Sequence, residues 1–211
     1  HLATVPTRPM LAKATNDMQA LSAGGDYEGV IWTQGSPQVE ETAYWFSLLI
    51  DTEKPICGNA AQRPQGQISN DGPKNIVDSV NFIASGIWKD EGGRNRCGVV
   101  VIQEQQIFAA REVAKVDARP GGYTATGGHG GIIGQFSHTG RMALTYLPVF
   151  KHTYRSEVNL TRLPETVTAV RQGANGIEGV EVAVKDGDGK LLADAVPVVS
   201  FVKDGSYSGL E

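Results

Sequence analysis

Nucleophilic catalysis by a hydroxyl needs the nucleophile, a group that takes its proton, and hydrogen-bond donors for the negative charge that develops. Ser36 can meet the first need and borders the third. It lies in the polar turn Thr33-Gln34-Gly35-Ser36-Pro37, between the apolar run Gly29-Val30-Ile31-Trp32 and a segment in which Val39, Ala43, Phe46 and Ile50 recur at helical spacing. A hydroxyl at such a strand-to-helix turn stands beside backbone N–H groups that no strand partner uses. The same serine followed by Pro37 also has the chemistry of a helix N-cap before a first helical position. Lys115 follows the apolar pair Val113-Ala114. A lysine serves as a base only where burial or a neighbouring cation lowers its pKa, and by itself this one reads as a solvated surface charge. Asp71, ahead of Gly72-Pro73, has the chemistry of a turn former and cap. His129 sits inside the glycine-dense tract 121–134, where either an acid–base role or an anion cradle competes with a plain turn-rich loop.

These residues depend on the elements around them. The spacing predicts a helix over Met10–Leu21, a strand ending at Trp32, and a helix from Pro37 whose first turn carries Glu40 and Glu41 at the positive end of its dipole. A strand over Lys54–Cys57 follows, then a helix after Asp71 with Ile76, Val80 and Ile83 as its apolar face. Gly98 to Ile102 is an unbroken apolar run of the kind found in a parallel sheet covered on both faces. A short strand over Gln106–Ala110 leads to Arg111–Lys115, and a turn at Ser137–Gly140 suggests a hairpin joining Gln135-Phe136 to Met142–Tyr146. Strand, helix, strand, helix, strand is the order of a doubly wound, mostly parallel α/β sheet flanked by helices, which places its ligands at the carboxyl ends of its strands. Alternation at Val180, Val182 and Val184, a turn at Gly187, Leu191-Leu192 and the run Val196–Val202 predict a small β-rich unit at the end.

The segment TQGSPQVEETAYWFSLLIDTEKPI resembles a signature of the bacterial L-asparaginase/glutaminase family. Further segments follow in the family's order: Arg63-Pro64, SNDGPKN at Ser69–Asn75, AREVAK at Ala110–Lys115, and Gly131-Ile132-Ile133-Gly134. The resemblance implies an asparaginase-like amidohydrolase in which Ser36 stands where the family has its second catalytic threonine and Lys115 where it has its catalytic lysine. The two would form a Ser–Lys pair. Asp71 would support the site, and Thr33, Gln34, Gly35 and Pro37 would line it. Gln34 replaces the family's histidine. Pro37 replaces the aspartate that holds the substrate's α-amino group, so the implied substrate is an amide without a free α-amino group. A strand with a first nucleophilic threonine, which the family has ahead of this region, is not identifiable. The domain plan is therefore 1–150 as an asparaginase-like domain lacking its first strand, 151–166 as linker, and 167–211 as a partial or divergent second domain. Two alternatives follow: a non-catalytic relative that binds a small molecule, or one subunit of a split enzyme. A homodimer or homotetramer is implied by the resemblance alone.

With 211 residues, 40% of them apolar and 20% charged, the chain can bury one substantial core. A net charge of −4 with no basic cluster argues against a nucleic-acid grip. No apolar run is long enough to span a membrane and no leader pattern opens the chain, which gives a cytoplasmic reading with the periplasm as alternative. Neither Cys57 nor Cys97 has metal-ligand spacing to a second ligand, and no metal or cofactor is expected. Both read as small buried thiols. Asp186 and Asp188 suggest calcium only faintly, and Trp32, Trp45 and Trp88 read as core or interface residues.

Overall fold

The β-branched run that opens the site becomes β1 (Val30–Thr33), which pairs in parallel with β2 (Ile56–Asn59), as β2 does with β3 (Val99–Gln103). The computed structural model describes residues 2, 4–125, 131–156 and 158, and the backbone of 169–173, 176–181, 199–201 and 207–208. It divides into two compact units, His1–Pro6 with Asp17–Asn159 and Thr7–Asn16 with Leu160–Glu211. The helix expected over Met10–Leu21 is α1 (Arg8–Ala23).

Parallel strands need crossovers, and α2 (Val39–Leu49) and α3 (Gly72–Ser85) supply them. After β3 the chain reverses on Glu104 and Gln105, both at positive φ (48° and 65°), into β4 (Gln106–Ala109). Such a two-residue reversal matches the twist of an antiparallel pair. β7 (Ile132–Phe136) and β8 (Met142–Leu144) extend the sheet to the order β1-β2-β3-β4-β7-β8, with antiparallel pairing from β3 onward. The fold is α/β. β5 (Val113–Lys115) and β6 (Tyr123–Ala125) form a separate hairpin. Two strands thus lie in or beside a tract whose glycine content predicted no regular element. Residues 126–130, His129 among them, lie outside the described residues.

One core layer contains Cys57, Phe82, Trp88, Cys97, Ile102 and Ile133. Val39, Ala43 and Phe46 of α2 and Ile50 at its C-cap, the periodic residues, are all fully buried. Phe46 meets the Trp32 ring edge-on, with centroids 5.1 Å apart. Glycine is required opposite that ring, because a Cβ on Gly58 would stand 2.3 Å from it. Both cysteines are buried free thiols, and burial pushes each pKa up.

α3 corrects the sequence reading. Its expected face is largely solvent-exposed, Ile76 at 41% and Val80 at 50%, while Asn75, Asp78, Ser79 and Phe82 are buried. The reason is a polar network that outweighs the apolar stripe. Asn59 donates to Ser79 Oγ (2.9 Å) and to the Ile102 carbonyl (3.0 Å), and Asn75 donates to Gln103 Oε1 (3.0 Å). Polar groups buried with their partners cost little, whereas the same groups stranded apart would each cost about 1–3 kcal/mol.

In the first unit the chain closes with a 3₁₀ turn at Thr153–Arg155, where the preceding His152 is buried against Gly98. Burial, then the nearby Arg155, pull the His152 pKa from 6.5 down to about 4. The unfolded chain therefore takes up this proton first. Stability contributed by the neutral imidazole is complete above pH 6.5 and lost as pH falls through 4. We expect about 3 kcal/mol of pH-dependent stability from this residue over that window. Denaturant titrations at several pH values should show a flatter profile for His152→Gln.

The described strands of the second unit, β9 (Ala169–Gly173), β10 (Gly176–Glu181), β11 (Val199–Phe201) and β12 (Tyr207–Ser208), form an antiparallel sheet ordered β12-β11-β10-β9. The turn expected at Gly187, with Asp186 and Asp188, lies outside the described residues.

Candidate active site

The carboxyl ends of β1, β2 and β3 carry Ser36, Asn59 and Gln103 toward one edge of the sheet, where an open α/β fold exposes free backbone groups. Over this edge lies the β5–β6 hairpin. Its strands set Lys115 directly opposite Tyr123, so the two side chains share a face. Lys115 Nζ donates to Ser36 Oγ at 2.5 Å, a contact across 79 positions in sequence between two half-buried residues. An amine and a hydroxyl at this separation can pass a proton in either direction.

Two further contacts hold the hairpin's strands beside Ser36. Tyr123 Oη donates to the Ser36 carbonyl oxygen at 2.9 Å, and the Lys115 backbone N–H donates to Glu40 Oε1 at 3.3 Å. The second oxygen of Glu40 is buried with no hydrogen-bond partner. Burial raises the Tyr123 pKa well above its ordinary value, and Glu40, Asp71 and Glu41 add to the effect. The phenol therefore stays protonated and acts as a donor. Tyr123 and Glu40 were not among the sequence candidates for the site. The available signal was the Pro120-Gly121-Gly122 turn, which closes a hairpin that brings residues 115 and 123 opposite each other.

Ser36 is not the helix cap that Pro37 suggested. The N-cap of α2 is Gln38 at φ 62°, without a side-chain capping bond, and the helix begins at Val39. The Ser36 hydroxyl is occupied by Lys115 instead, and Pro37-Gln38 forms a turn before the first helical residue. Pro37 is exposed and Thr33 is half-buried. Gly35 lies against the start of the chain, where a Cβ would come within 2.9 Å of Thr4 Cα. Gln34 is 4% exposed and its backbone N–H donates to the Asn59 carbonyl at 3.0 Å. Both polar atoms of its side chain are buried with no hydrogen-bond partner.

Asp71 is the N-cap position of α3 but makes no side-chain capping bond. Its carboxylate accepts from the backbone N–H groups of Gln62 (3.1 Å) and Arg63 (2.8 Å), and from the side-chain amides of Asn75 (3.2 Å) and Gln103. None of these partners is Ser36 or Lys115. Arg63 pairs with Glu104 at 3.4 Å, and Glu104 in turn accepts from the Gly121 N–H at 2.5 Å. Asp71 thus braces the loop after β2, which reaches the hairpin loop through Glu104. Among the described residues, no three His, Cys, Asp or Glu side chains come together as a metal site, and no helix is long and apolar enough to cross a membrane.

Comparison with known proteins yields a consistent set of relatives. A family model described as "Asparaginase, N-terminal" matches residues 7–125. A glutaminase-asparaginase from Acinetobacter glutaminasificans is 29% identical over 196 residues, covering 92% of this chain and 51% of that protein. L-asparaginase 2 from Escherichia coli is 28% identical over 138 residues, covering 65% and 37%. The crystal structure of a probable cytoplasmic L-asparaginase from Campylobacter jejuni superposes with a TM-score of 0.64 at 25% identity, covering 79% of this chain and 49% of that one. The chain spans about half, or less, of the length of these relatives.

Proposed function

The chain belongs to the asparaginase family, and from that premise we propose that its first unit carries the Ser36–Lys115 pair of an amidohydrolase acting on a small carboxamide. The observation that carries this reading is the 2.5 Å contact between Lys115 Nζ and Ser36 Oγ at the carboxyl edge of the sheet. In the acyl-transfer scheme implied by the family, a hydroxyl oxygen bonds to the carboxamide carbon and its proton passes to a base. The C–N bond then breaks, ammonia leaves with that proton, and water hydrolyses the acyl-enzyme. Ser36 and Lys115 would perform the nucleophilic or proton-shuttling step of this cycle, and Asp71 would hold the loop beside them. Residues 1–150 are assigned to this domain, 151–166 to a connection and 167–211 to a partial or divergent second domain. A homodimer or homotetramer is part of the same proposal.

Pro37 narrows the substrate. A proline offers no charge for the α-amino group that the family's aspartate holds, and losing a charged hydrogen bond costs about 1.5–3 kcal/mol. An amide lacking the α-amino group should therefore be hydrolysed with kcat/KM about 10–100-fold above that of asparagine. Ammonia release from a panel of amides, each with and without the amino group, tests this. A low KM for asparagine would overturn the specificity, and recovery of every bound amide intact would overturn the enzymatic reading.

A further inference from the structure

We propose that Tyr123 is a positioning residue that, together with Glu40, clamps the β5–β6 hairpin onto the strand-to-helix turn and so holds Lys115 Nζ against Ser36 Oγ. The inference rests on the amidohydrolase reading for its kinetic consequence, but the clamp itself is a matter of geometry. Lys115 and Tyr123 are direct cross-strand partners, and both reach the same residue from one face of the hairpin: Lys115 the hydroxyl of Ser36, Tyr123 its carbonyl. That carbonyl lies outside the helix, because α2 begins at Val39 and its first turn closes on Gln38, whose carbonyl accepts from Thr42 at 3.1 Å. It needs an acceptor's partner from elsewhere in the fold, and Tyr123 is that partner.

The rest of the hairpin's attachment points the same way. It belongs to neither the six-stranded sheet nor the four-stranded one, so its own ladder does not fix its position over the site. Glu40 accepts the Lys115 backbone N–H on one side, and Tyr123 donates to Ser36 on the other. The Tyr123 ring is 6% exposed and lies 6.5 Å from the Phe108 ring, centroid to centroid, which anchors the phenol to β4. Its raised pKa keeps the hydroxyl a donor across the working range of pH. The loop end of the hairpin is held separately, by Glu104 on the Gly121 N–H and Gln62 on the Asp117 carbonyl, so loss of the hydroxyl alone would loosen the strand ends that carry Lys115 over Ser36 without emptying the core.

Tyr123→Phe in the full chain tests the clamp. The expected result is that Lys115 reacts with a limiting amine-acetylating reagent about 3–10-fold faster, as read by peptide mass spectrometry, and that amides of residues 113–115 exchange faster by a similar factor. Amide hydrolysis should fall in kcat by about 3–10-fold with KM nearly unchanged, a split that a general loss of folded protein would not give. Labelling and exchange equal to wild type would overturn the clamp. Should Tyr123→Phe not fold, Glu40→Ala removes the other anchor, and unchanged labelling there would overturn it equally. If the wild-type chain releases no ammonia from any amide, the amidohydrolase reading fails alone, and the labelling still decides the clamp.

Discussion

Lys115→Met is expected to slow amide hydrolysis by about 10²–10⁴-fold, the range over which a positioned proton-transfer group acts. Methionine keeps most of the unbranched stem and removes the amine that donates to Ser36 Oγ. Because Lys115 is only half-buried and its charge belongs to the site, the melting temperature should stay within a few degrees of wild type. Lys115→Arg sharpens the test. A guanidinium keeps the positive charge but does not give up its proton, so a merely electrostatic role would be rescued and a proton-shuttling role would not. Initial rates of ammonia release in wild type and both variants separate these outcomes. Rates within twofold of wild type in both would remove Lys115 from the chemistry.

Asp71→Ala should produce the largest loss of stability. The carboxylate is 6% exposed and accepts from Gln62, Arg63, Asn75 and Gln103. Alanine leaves these donors facing a void, at a cost of about 3–5 kcal/mol, the value typical of breaking a buried charged network on one side. For a chain of this size that corresponds to a melting temperature lower by roughly 10 °C. Asp71→Asn should lie between, since the amide retains one acceptor oxygen but turns an NH₂ toward donors. Thermal unfolding of both variants checks the order. A loss below 1 kcal/mol for the alanine variant would mean that the donors find other partners.

The two variants divide the site into chemistry and bracing, and that division was only partly legible in the sequence. β1 and α2 could be read because β-branched residues and the 39-43-46-50 periodicity all serve one core. Burial and pattern agree there. α3 could not be read in the same way, since its buried face carries Asn75, Asp78 and Ser79 beside Phe82, while Ile76, Val77 and Val80 look outward. Hydrophobic periodicity is blind to a helix whose polar residues are satisfied by strand ends. The Ser36 cap failed for a related reason: capping chemistry considers only the local backbone, and the hydroxyl is taken by a lysine 79 residues away. The pairing of Ser36 with Lys115 followed from family resemblance rather than from spacing. Tyr123 and Glu40 were missed because their roles exist only once the hairpin register and the first helical turn are set side by side.

The central claim is that Ser36 Oγ and Lys115 Nζ act as one proton-exchanging unit. Its most direct test is a double-mutant cycle on ammonia release with Ser36→Ala, Lys115→Met and the two combined. Residues acting as a unit give strongly non-additive losses, so the double variant should be no slower than the slower single one. Losses that multiply across the two sites, or single variants as fast as wild type, would contradict the claim.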